Sequence, residues 1–514
     1  MTAATTGPVT APVIGPVIGY PDGRPLWVPE TTLDLLDRAA AERPDAAALV
    51  CGEARLTYAQ YAHAVAVLAG RLAARERGRT VAIALRNGLA ICVCVFAVQR
   101  AGLLPATLNP DYTAHELRPM LEDADPALVI AHAEIADRFP GRRVLAVEDD
   151  TAFVAELLDQ PPPPATLPPV DPDADAVLQF TGGTTGRPKG ALLTHRAVAA
   201  NVAQREARLP TVRGDERIAC AMPLFHVFAV AMGLHLAAYA AGTLVILPRY
   251  RPDTLIDAIR GWRATRLPAG PTVFNSLLGY DGLTRDAVAT LRSCYSGSAP
   301  LSVATLERWE ALTGVPIYEG YGQSEAGPVL TYTGPDAPAP PGSVGTPLPG
   351  TEIRILPTGE ITARGPQIMR GYLSRPDATA EVLEGDWLRT GDAGRLDEQG
   401  VLTIEDRLKD MAIVGGFNVY PREVDEALMA HPRVAEAAAL GVPDGYRGEA
   451  IRAWVVARGP LDAAELEAWC AERLVKYKRP TCFAFVEALP RTPAGKIDKA
   501  ALRRTAGEGL AHVA

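Results

Sequence analysis

The stretch Thr181 to Gly190 reads TGGTTGRPKG and follows directly after the apolar run Ala176 to Phe180. Its glycines allow the main chain to approach an anion closely, and its threonine hydroxyls and the ammonium of Lys189 can donate hydrogen bonds to phosphate oxygens. The spacing differs from that of a GxxxxGKS or GxxxxGKT loop, because Lys189 lies three residues after Gly186. The stretch therefore predicts a phosphate-binding loop at the end of a strand, and a glycine-rich hairpin turn is the alternative.

On the N-terminal side of this loop, short apolar strands alternate with helical patterns. Thr31 or Thr32 can cap a helix whose apolar positions recur at helical spacing and which ends before Pro44. Alternation of this kind favours an α/β fold with largely parallel sheets. The other elements predicted here are strands at Ala47 to Cys51, Val81 to Leu85 and Leu128 to Ala131, and a helix at Leu89 to Ala101.

On the C-terminal side, the pattern changes after Asp406, where the charged tetrapeptide 407–410 leads into a glycine-rich turn. About a hundred residues follow, which is enough for a small α+β domain. The sequence therefore predicts a large domain over residues 1–406, a connection at 407–409 and a small domain over 410–514. The small-domain elements are predicted as helices at Glu423 to Ala430 and Ala463 to Leu474, and strands at Ala435 to Ala439, Ala450 to Ala457 and Cys482 to Leu489.

Composition and charge exclude several classes of protein. The 514 residues are 48% hydrophobic and 22% charged, which is typical of globular proteins and excludes a largely disordered or fibrous chain. The formal net charge of -9 argues against a generally basic surface for nucleic acid or anionic membranes. Seven cysteines without a CxxC pair argue against a disulfide scaffold or a structural zinc site. Because the N-terminus lacks a secretory signal pattern, we expect a cytoplasmic enzyme that binds no nucleic acid.

One uncharged segment, residues 218–248, is long enough to cross a bilayer. It is interrupted by Pro223, His226 and Gly242, and its last part has the β-branched pattern of a strand. We therefore expect a buried helix followed by a core strand rather than a membrane span.

Seven motifs stand in one order along the chain. They are TGGTTGRPKG at Thr181, PLFH at Pro223, YGQSE at Tyr321, WLRTGD at Trp387, DRLKD at Asp406, GGFNVYPREVD at Gly415 and PRTPAGKIDK at Pro490. From Thr32 to Arg503 the chain thus resembles the adenylate-forming superfamily of acyl-CoA synthetases, nonribosomal-peptide adenylation domains and beetle luciferase, and is most similar to fatty-acyl and aryl CoA ligases. The resemblance implies a large N-terminal domain with mostly parallel sheets flanked by helices, and a small mobile α+β C-terminal domain.

The resemblance also implies roles for individual side chains. Lys496 matches the family's catalytic lysine, whose ammonium neutralises charge that builds as pyrophosphate leaves. Glu325 and Thr184 match the metal site, where a carboxylate can hold Mg²⁺ against nucleotide phosphates. Lys409 falls at the family's hinge, and His226 is similar to the aromatic gate of the thiol tunnel.

The cofactor-binding positions implied by the resemblance lie in several of the motifs. Asp392 and Arg407 look like the ribose ligands, and a carboxylate suits this task because it accepts hydrogen bonds from both hydroxyls. Tyr321 offers an aromatic face to a purine. The implied set is Thr181, Gly183, Thr184, Thr185, Gly186, Lys189, Ser298, Ala299, Tyr321, Gly322, Gln323, Ser324, Asp392, Arg407, Gly415 and Gly416.

The acyl pocket is implied at four positions, which are His226, Val227, Asn275 and Gly320. Gly320 leaves space where malonate-specific relatives place an arginine, so a dicarboxylate substrate is disfavoured. The uncharged segment around Val227 also offers no cation to a second carboxylate.

The activity implied by the resemblance is ATP-dependent conversion of a carboxylic acid into an acyl-adenylate, followed by thioester formation with coenzyme A, with Mg²⁺ as the metal. Alternative acceptors are the thiol of a freestanding carrier protein or an amine, and an alternative substrate is an unusual oxyanion such as nitrite. A nucleotide-binding regulator without catalysis is a further alternative, and the resemblance leaves a homodimer open.

Overall fold

The computed structural model describes residues 18–20, 22–74, 80–163, 167, 169–181, 188–414, 417–444, 447–492 and 495–507. Within these residues the strands form four sheets. Helices pack against the sheets, which confirms the predicted α/β class. The α-helices are Leu33–Glu42, Tyr58–Ala73, Leu89–Arg100, Ala114–Ala124, Asp150–Leu158, His195–Arg208, Val227–Ala229, Leu236–Tyr239, Pro252–Trp262, Pro271–Leu278, Val303–Thr313, Pro376–Val382, Pro421–Met429, Ala463–Arg473 and Lys499–Gly507.

Two large sheets hold most of the first 370 residues, and their central strands run parallel. The first has the order Thr346–Pro347, Thr331–Tyr332, Ile317–Tyr321, Ser293–Ser296, Arg266–Ala269, Arg217–Cys220, Thr243–Ile246, Ala47–Cys51 and Ala54–Thr57. The second has the order Gly371–Tyr372, Lys189–Thr194, Asp175–Thr181, Leu104–Thr107, Thr80–Ala84, Leu128–His132 and Val144–Val147. One apolar cluster joins the two sheets through the helix Leu89–Arg100, which is buried from Leu89 to Gln99.

The third sheet is antiparallel throughout, so the parallel strands of the predicted large domain lie in the two larger sheets. It lies after residue 350, where short connections join most of the consecutive strands. Antiparallel pairs need only short turns, whereas parallel pairs need a long crossover. Its strands are Glu352–Ile355, Glu360–Arg364, Trp387–Leu396, Leu383–Glu384 and Leu402–Arg407.

The fourth sheet lies after residue 411 and has an apolar cluster of its own, which runs from Ala412 to Cys470. Helices Pro421–Met429 and Ala463–Arg473 supply Val424, Leu428 and Leu466 to this cluster. The strands are Phe417–Val419, Ala412–Val414, Gly448–Ala457, Val434–Asp444 and Cys482–Phe485.

The first helix begins where the sequence predicts, and Thr31, one of the two predicted caps, accepts from the main-chain nitrogen of Asp34 at 3.4 Å. Thr32 makes no capping hydrogen bond, because its hydroxyl lies 2.9 Å from Gln99 Oε1 and 2.8 Å from His195 Nδ1. The carboxylate of Asp34 instead accepts from the main-chain nitrogen of Thr31, at 2.8 Å. Leu35 and Leu36 are fully buried, and burial of each leucine stabilises the fold by about 1.5–3 kcal/mol.

The uncharged segment 218–248 lies in the core, as predicted. It contributes the strands Arg217–Cys220 and Thr243–Ile246 and, between them, helical turns that include a π-helical stretch at Val230–His235. None of the described helices is long and apolar enough to cross a membrane.

The cysteines agree with the expectation that the fold uses no disulfide. All seven are free. Cys51 is half-buried, Cys482 is exposed on a strand of the small fourth sheet, and the other five are buried.

Candidate active site

A buried carboxylate, Glu325, lies beside the ends of the predicted phosphate loop. Thr181 and Lys189 pair directly across two antiparallel strands, Asp175–Thr181 and Lys189–Thr194. Thr181 Oγ1 donates to Glu325 Oε1 at 3.4 Å, and the hydroxyl of Tyr372 donates to the same oxygen at 2.8 Å. Lys189 Nζ lies 5.3 Å from the centre of the Tyr372 ring. The side chains at the two ends of the loop therefore lie in one polar cluster with Glu325 and Tyr372.

Asp392 and Arg407 form the second part of the site. They are direct partners on neighbouring antiparallel strands, and Arg407 Nε lies 2.8 Å from Asp392 Oδ1. The hydroxyl of Tyr321 donates to Asp392 Oδ2 at 2.7 Å. Burial raises the pKa of Asp392, and the Arg407 guanidinium opposes that rise. Three positions predicted to bind one cofactor thus lie in contact.

The loop that carries Lys496 is closed by its own hydrogen bonds. The main-chain nitrogen of Thr492 donates to Lys496 O at 2.7 Å, and that of Gly495 donates to Thr492 O at 2.8 Å. Gly495 has a φ of +79°, in the left-handed region that favours glycine. A Cβ at Gly495 would lie 3.9 Å from Thr272 Oγ1, so this loop touches a helix of the first sheet's domain.

Lys496 lies within the electrostatic field of the other charged site residues. Burial lowers the pKa of Lys496, and the Arg407 guanidinium lowers it further, whereas the carboxylates of Asp392 and Glu325 raise it. Burial also lowers the pKa of His226 to about 3, and the Lys496 charge adds to that effect. The structure thus brings together residues that are separated by up to 270 positions in the sequence.

Ser298 follows the buried strand Ser293–Ser296 and has a φ of +70°, a conformation that is strained for a residue with a side chain. Its buried hydroxyl has no hydrogen-bond partner among the described residues, and Ala299 beside it is partly exposed. An unpaired buried hydroxyl on a strained turn is typical of a ligand-binding position. Gly322 is required for close packing, because a Cβ there would lie 2.1 Å from Pro328 O.

Gly320 does not leave open space, which corrects the sequence expectation. A Cβ at Gly320 would lie 2.4 Å from the ring of Tyr332, which is fully buried and pairs with Gly320 across the sheet. Asn275 is partly buried, and its Oδ1 accepts from Thr305 Oγ1 at 2.7 Å. The phenol ring was not foreseen because Tyr332 lies 12 residues further along the chain.

Val227 lines a narrow cavity of about 20 Å³, which is room for one water molecule. His226 precedes it, and its Nδ1 accepts from the main-chain nitrogen of Phe228 at 3.2 Å. Most of the cavity's other lining is apolar, with Val95, Val198, Val230 and Ala231 among its members.

The remaining predicted positions lie either in short turns or outside the described residues. Lys409 lies in a short 3₁₀ helix, Leu408–Asp410, and burial lowers its pKa. Gln323 precedes, and Ser324 begins, a 3₁₀ turn that carries Glu325. The positions outside the described part of the chain are Gly183, Thr184, Thr185, Gly186, Gly415 and Gly416.

Sequence reasoning did not identify three residues near this site. Tyr372 binds Glu325, and no local signal distinguishes it from a core tyrosine. Arg205 and His235 are buried beside the cavity, each with an unpaired nitrogen among the described residues. A charged residue within a helix usually indicates a solvated face, so Arg205 gave no signal of a buried cation.

The chemistry that this cluster can support follows from its charges. The cations of Lys496 and Arg407 stand near the carboxylates of Asp392 and Glu325. Such a group can bind a polyanion that also carries hydroxyl groups, and a buried ammonium can neutralise negative charge that develops during a reaction.

Known families and proteins agree with this interpretation. A family model described as AMP-binding enzyme matches residues 36–373, and one described as AMP-binding enzyme C-terminal domain matches residues 423–496. A long-chain-fatty-acid–CoA ligase of Bacillus subtilis is 34% identical, over 93% of this chain and 95% of the relative. A CoA ligase of Rhodococcus jostii, named for a propanoyl group on a methylated dioxo-octahydroindene, is 35% identical over 92% and 98%.

The solved structures show the same architecture. ATP-bound MatB from Rhodopseudomonas palustris has a TM-score of 0.86 at 31% identity, and the match covers 92% of this chain and 98% of that one. The chain therefore belongs to the AMP-binding enzyme family, as an ATP-dependent, AMP-forming ligase that activates a carboxylic acid as an acyl-adenylate and joins it to coenzyme A.

Proposed function

We propose that this ligase acts on an apolar monocarboxylic acid with an aromatic ring or a medium to long alkyl chain, and that Lys496 is its adenylating lysine. The observation that carries the proposal is that Lys496 lies within the electrostatic field of Glu325 and of the Arg407–Asp392 pair, whose atoms are 2.8 Å apart. In the first step a carboxylate oxygen of the acid bonds to the α-phosphorus, and the bond to pyrophosphate breaks. The Lys496 ammonium stabilises the negative charge that builds between these groups.

The remaining site residues hold the nucleotide in this proposal. Asp392 accepts hydrogen bonds from the ribose hydroxyls, and Arg407 and Tyr321 fix the orientation of its carboxylate. Glu325 and Thr184 would hold Mg²⁺, because carboxylate and hydroxyl oxygens are the ligands that this ion prefers. When bound, the metal would neutralise phosphate charge. Thr181 and Tyr372 orient Glu325 through their hydroxyls.

We place the pivot between the two half-reactions at 407–409, between a large domain (1–406) and a small domain (410–514). The effect of the Arg407, Asp392 and Glu325 charges on the pKa of Lys496 supports an arrangement suited to adenylation. Rotation would withdraw Lys496 and present Gly415 and Gly416. The thiol of coenzyme A would then bond to the acyl carbon while AMP leaves. His226, neutral because its pKa is about 3, would stand beside the thiol path without a charge.

A cytoplasmic location, a homodimer and a carrier-protein acceptor stay predictions from the sequence.

The pH dependence of adenylation should report the environment of Lys496. Burial and Arg407 lower the pKa of Lys496, so it loses its proton at a lower pH than an ordinary lysine. As the pH is raised, the rate of acid-dependent pyrophosphate exchange should therefore begin to fall at a pH below the pKa of an ordinary lysine. Lys496→Arg keeps its charge at every accessible pH. If the exchange rate of this variant falls at the same alkaline pH as that of the wild type, a group other than Lys496 causes the fall.

The acid preference can be tested with acetate, malonate, octanoate, benzoate and cinnamate in one AMP-forming assay. Burial of each methylene against the apolar lining beside Val227 should stabilise the bound acid by roughly 0.8 kcal/mol, which corresponds to about a fourfold increase in kcat/KM. We therefore expect octanoate and the aromatic acids to exceed acetate. Malonate should be the poorest substrate, because burial of a second, unpaired carboxylate is costly.

Omission of coenzyme A serves as the control in this assay. Steady AMP release should require the thiol, whereas pyrophosphate exchange should not. A clear preference for acetate or malonate would contradict the proposed pocket, and AMP release that is independent of the thiol would point to another acceptor.

A further inference from the structure

His235 is a buried histidine that the reaction described above does not use. Its side chain is 2% exposed, and neither ring nitrogen has a hydrogen-bond partner among the described residues. The ring lines the same cavity as Val227, where it stands among mainly apolar side chains. Buried polar groups are nearly always paired, so an imidazole with two free nitrogens beside a cavity indicates a position for a ligand atom.

The protonation state of His235 limits what that atom can be. Burial lowers the pKa of His235 to about 3, and the positive charge of Arg205 contributes. The imidazole is therefore neutral at physiological pH and carries one N–H donor and one acceptor nitrogen. A hydroxyl can satisfy both of these, and a keto oxygen can satisfy the donor.

Arg205 adds a second free donor close to this position. Its Nη1 donates to Ala231 O at 2.8 Å and lies 3.1 Å from Met232 Sδ, whereas its buried Nη2 has no partner among the described residues. Ala231 also lines the cavity. The N–H of His235 and Arg205 Nη2 could thus both donate to an oxygen atom of a ligand.

The backbone around His235 departs from a regular helix. The segment Val230–His235 is π-helical, a geometry that occurs frequently at functional sites. His235 ends this segment, and Val230, at its beginning, lines the same cavity. The irregular turn therefore belongs to the cavity wall.

The distance from the reacting carboxylate can be judged along this helix. His226 lies in the field of Lys496, and His235 follows nine residues later, about 13 Å away at 1.5 Å per residue. An extended chain spans roughly 3.5 Å per three bonds, so about eleven bonds cover that length. An acid that enters at His226 and passes Val227 and Val230 could place an atom about ten carbons along its chain beside His235.

We infer that this cavity receives the far end of the acyl group, and that His235 selects acids whose apolar body ends in a hydroxyl or keto oxygen. The inference rests on the proposed function, because it places the acid's carboxylate at Lys496. The oxygen takes the position in which one water molecule fits in the cavity.

The test compares 10-hydroxydecanoate with decanoate, by kcat/KM for AMP formation, in the wild type and in His235→Leu. The wild type should prefer the hydroxy acid by about tenfold, the value of one good buried hydrogen bond. The preference should reverse in His235→Leu and partly return in His235→Gln, which restores a donor. His115→Leu serves as the matched control, because it makes the same change at an exposed histidine on the helix Ala114–Ala124 that does not line the cavity, and it should leave the preference unchanged.

A second measurement keeps the inference separate from the proposed function. In protein labelled at histidine, the ring signals of His235 should shift in the NMR spectrum when 10-hydroxydecanoate binds, and should stay in place with decanoate. An equal preference in wild type and His235→Leu would overturn the inference, as would a stronger preference for decanedioate than for either acid. Failure of every acid to support AMP formation would instead count against the proposed function, and the NMR result would still decide the role of His235.

Discussion

Lys496→Ala should lower acyl-adenylate formation by about 10²–10³-fold, the cost of removing one preorganised group that stabilises transition-state charge. The ammonium lies in the field of Arg407, Asp392 and Glu325, and alanine leaves no replacement. Thioester formation from a supplied acyl-adenylate should be largely retained, because in the proposed mechanism the lysine acts in one domain arrangement only. The measurement is a pair of single-turnover assays, one for each half-reaction.

The matched control for this variant is Lys499→Ala. Lys499 begins the helix that follows Lys496, and its ammonium lies 3.8 Å from Asp406 rather than at the nucleotide site. It should leave both half-reactions within a few-fold of the wild type. Equal loss of both half-reactions in a folded Lys496→Ala protein would show that the assignment is wrong.

Lys409→Pro should have the opposite effect to Lys496→Ala, because it should impair thioester formation and spare adenylation. Lys409 lies in a 3₁₀ turn, a conformation whose usual φ is close to that of proline, so the adenylating arrangement should tolerate the ring. Fixing φ at about −65° removes the freedom that a pivot needs. We expect thioester formation to fall by about 10²-fold, the loss that a misplacement of about 1 Å can cause, while adenylation changes little.

Lys409→Ala is the control, because it removes the ammonium and leaves the main chain free. It should behave like the wild type in both assays. An unchanged overall rate in Lys409→Pro would place the pivot elsewhere in the chain.

Local patterns predict much of this fold because they act over short distances. The strand Ala47–Cys51 and the helix Leu89–Arg100 lie within one residue of their predicted limits, since each is a short run of apolar residues with a clear end. The strand predicted at 482–489 ends at Phe485, because beyond it the chain leaves its parallel partner. Motif order likewise foresaw Asp392 and Arg407 at one site, and the structure adds that they are cross-strand partners.

Contacts between distant segments could not be predicted in this way. The ring of Tyr332 occupies the space beside Gly320, and Arg205 projects from a helix that is buried on nearly all sides. Neither position has a sequence pattern that differs from an ordinary core tyrosine or an ordinary helical arginine. Their effect on the pocket arises only when separate strands and helices pack together.

The distribution of thiols would allow the proposed rotation of the small domain to be followed in solution. Cys482 is exposed on the small domain, Cys51 is half-buried on the large one, and the other five cysteines are buried. Burial raises the pKa of Cys51 to about 11, so it carries little of the reactive thiolate at neutral pH. A maleimide dye should therefore attach mainly at Cys482 without removal of any native cysteine. Its fluorescence anisotropy would then follow the orientation of the small domain during turnover of the unmodified sequence.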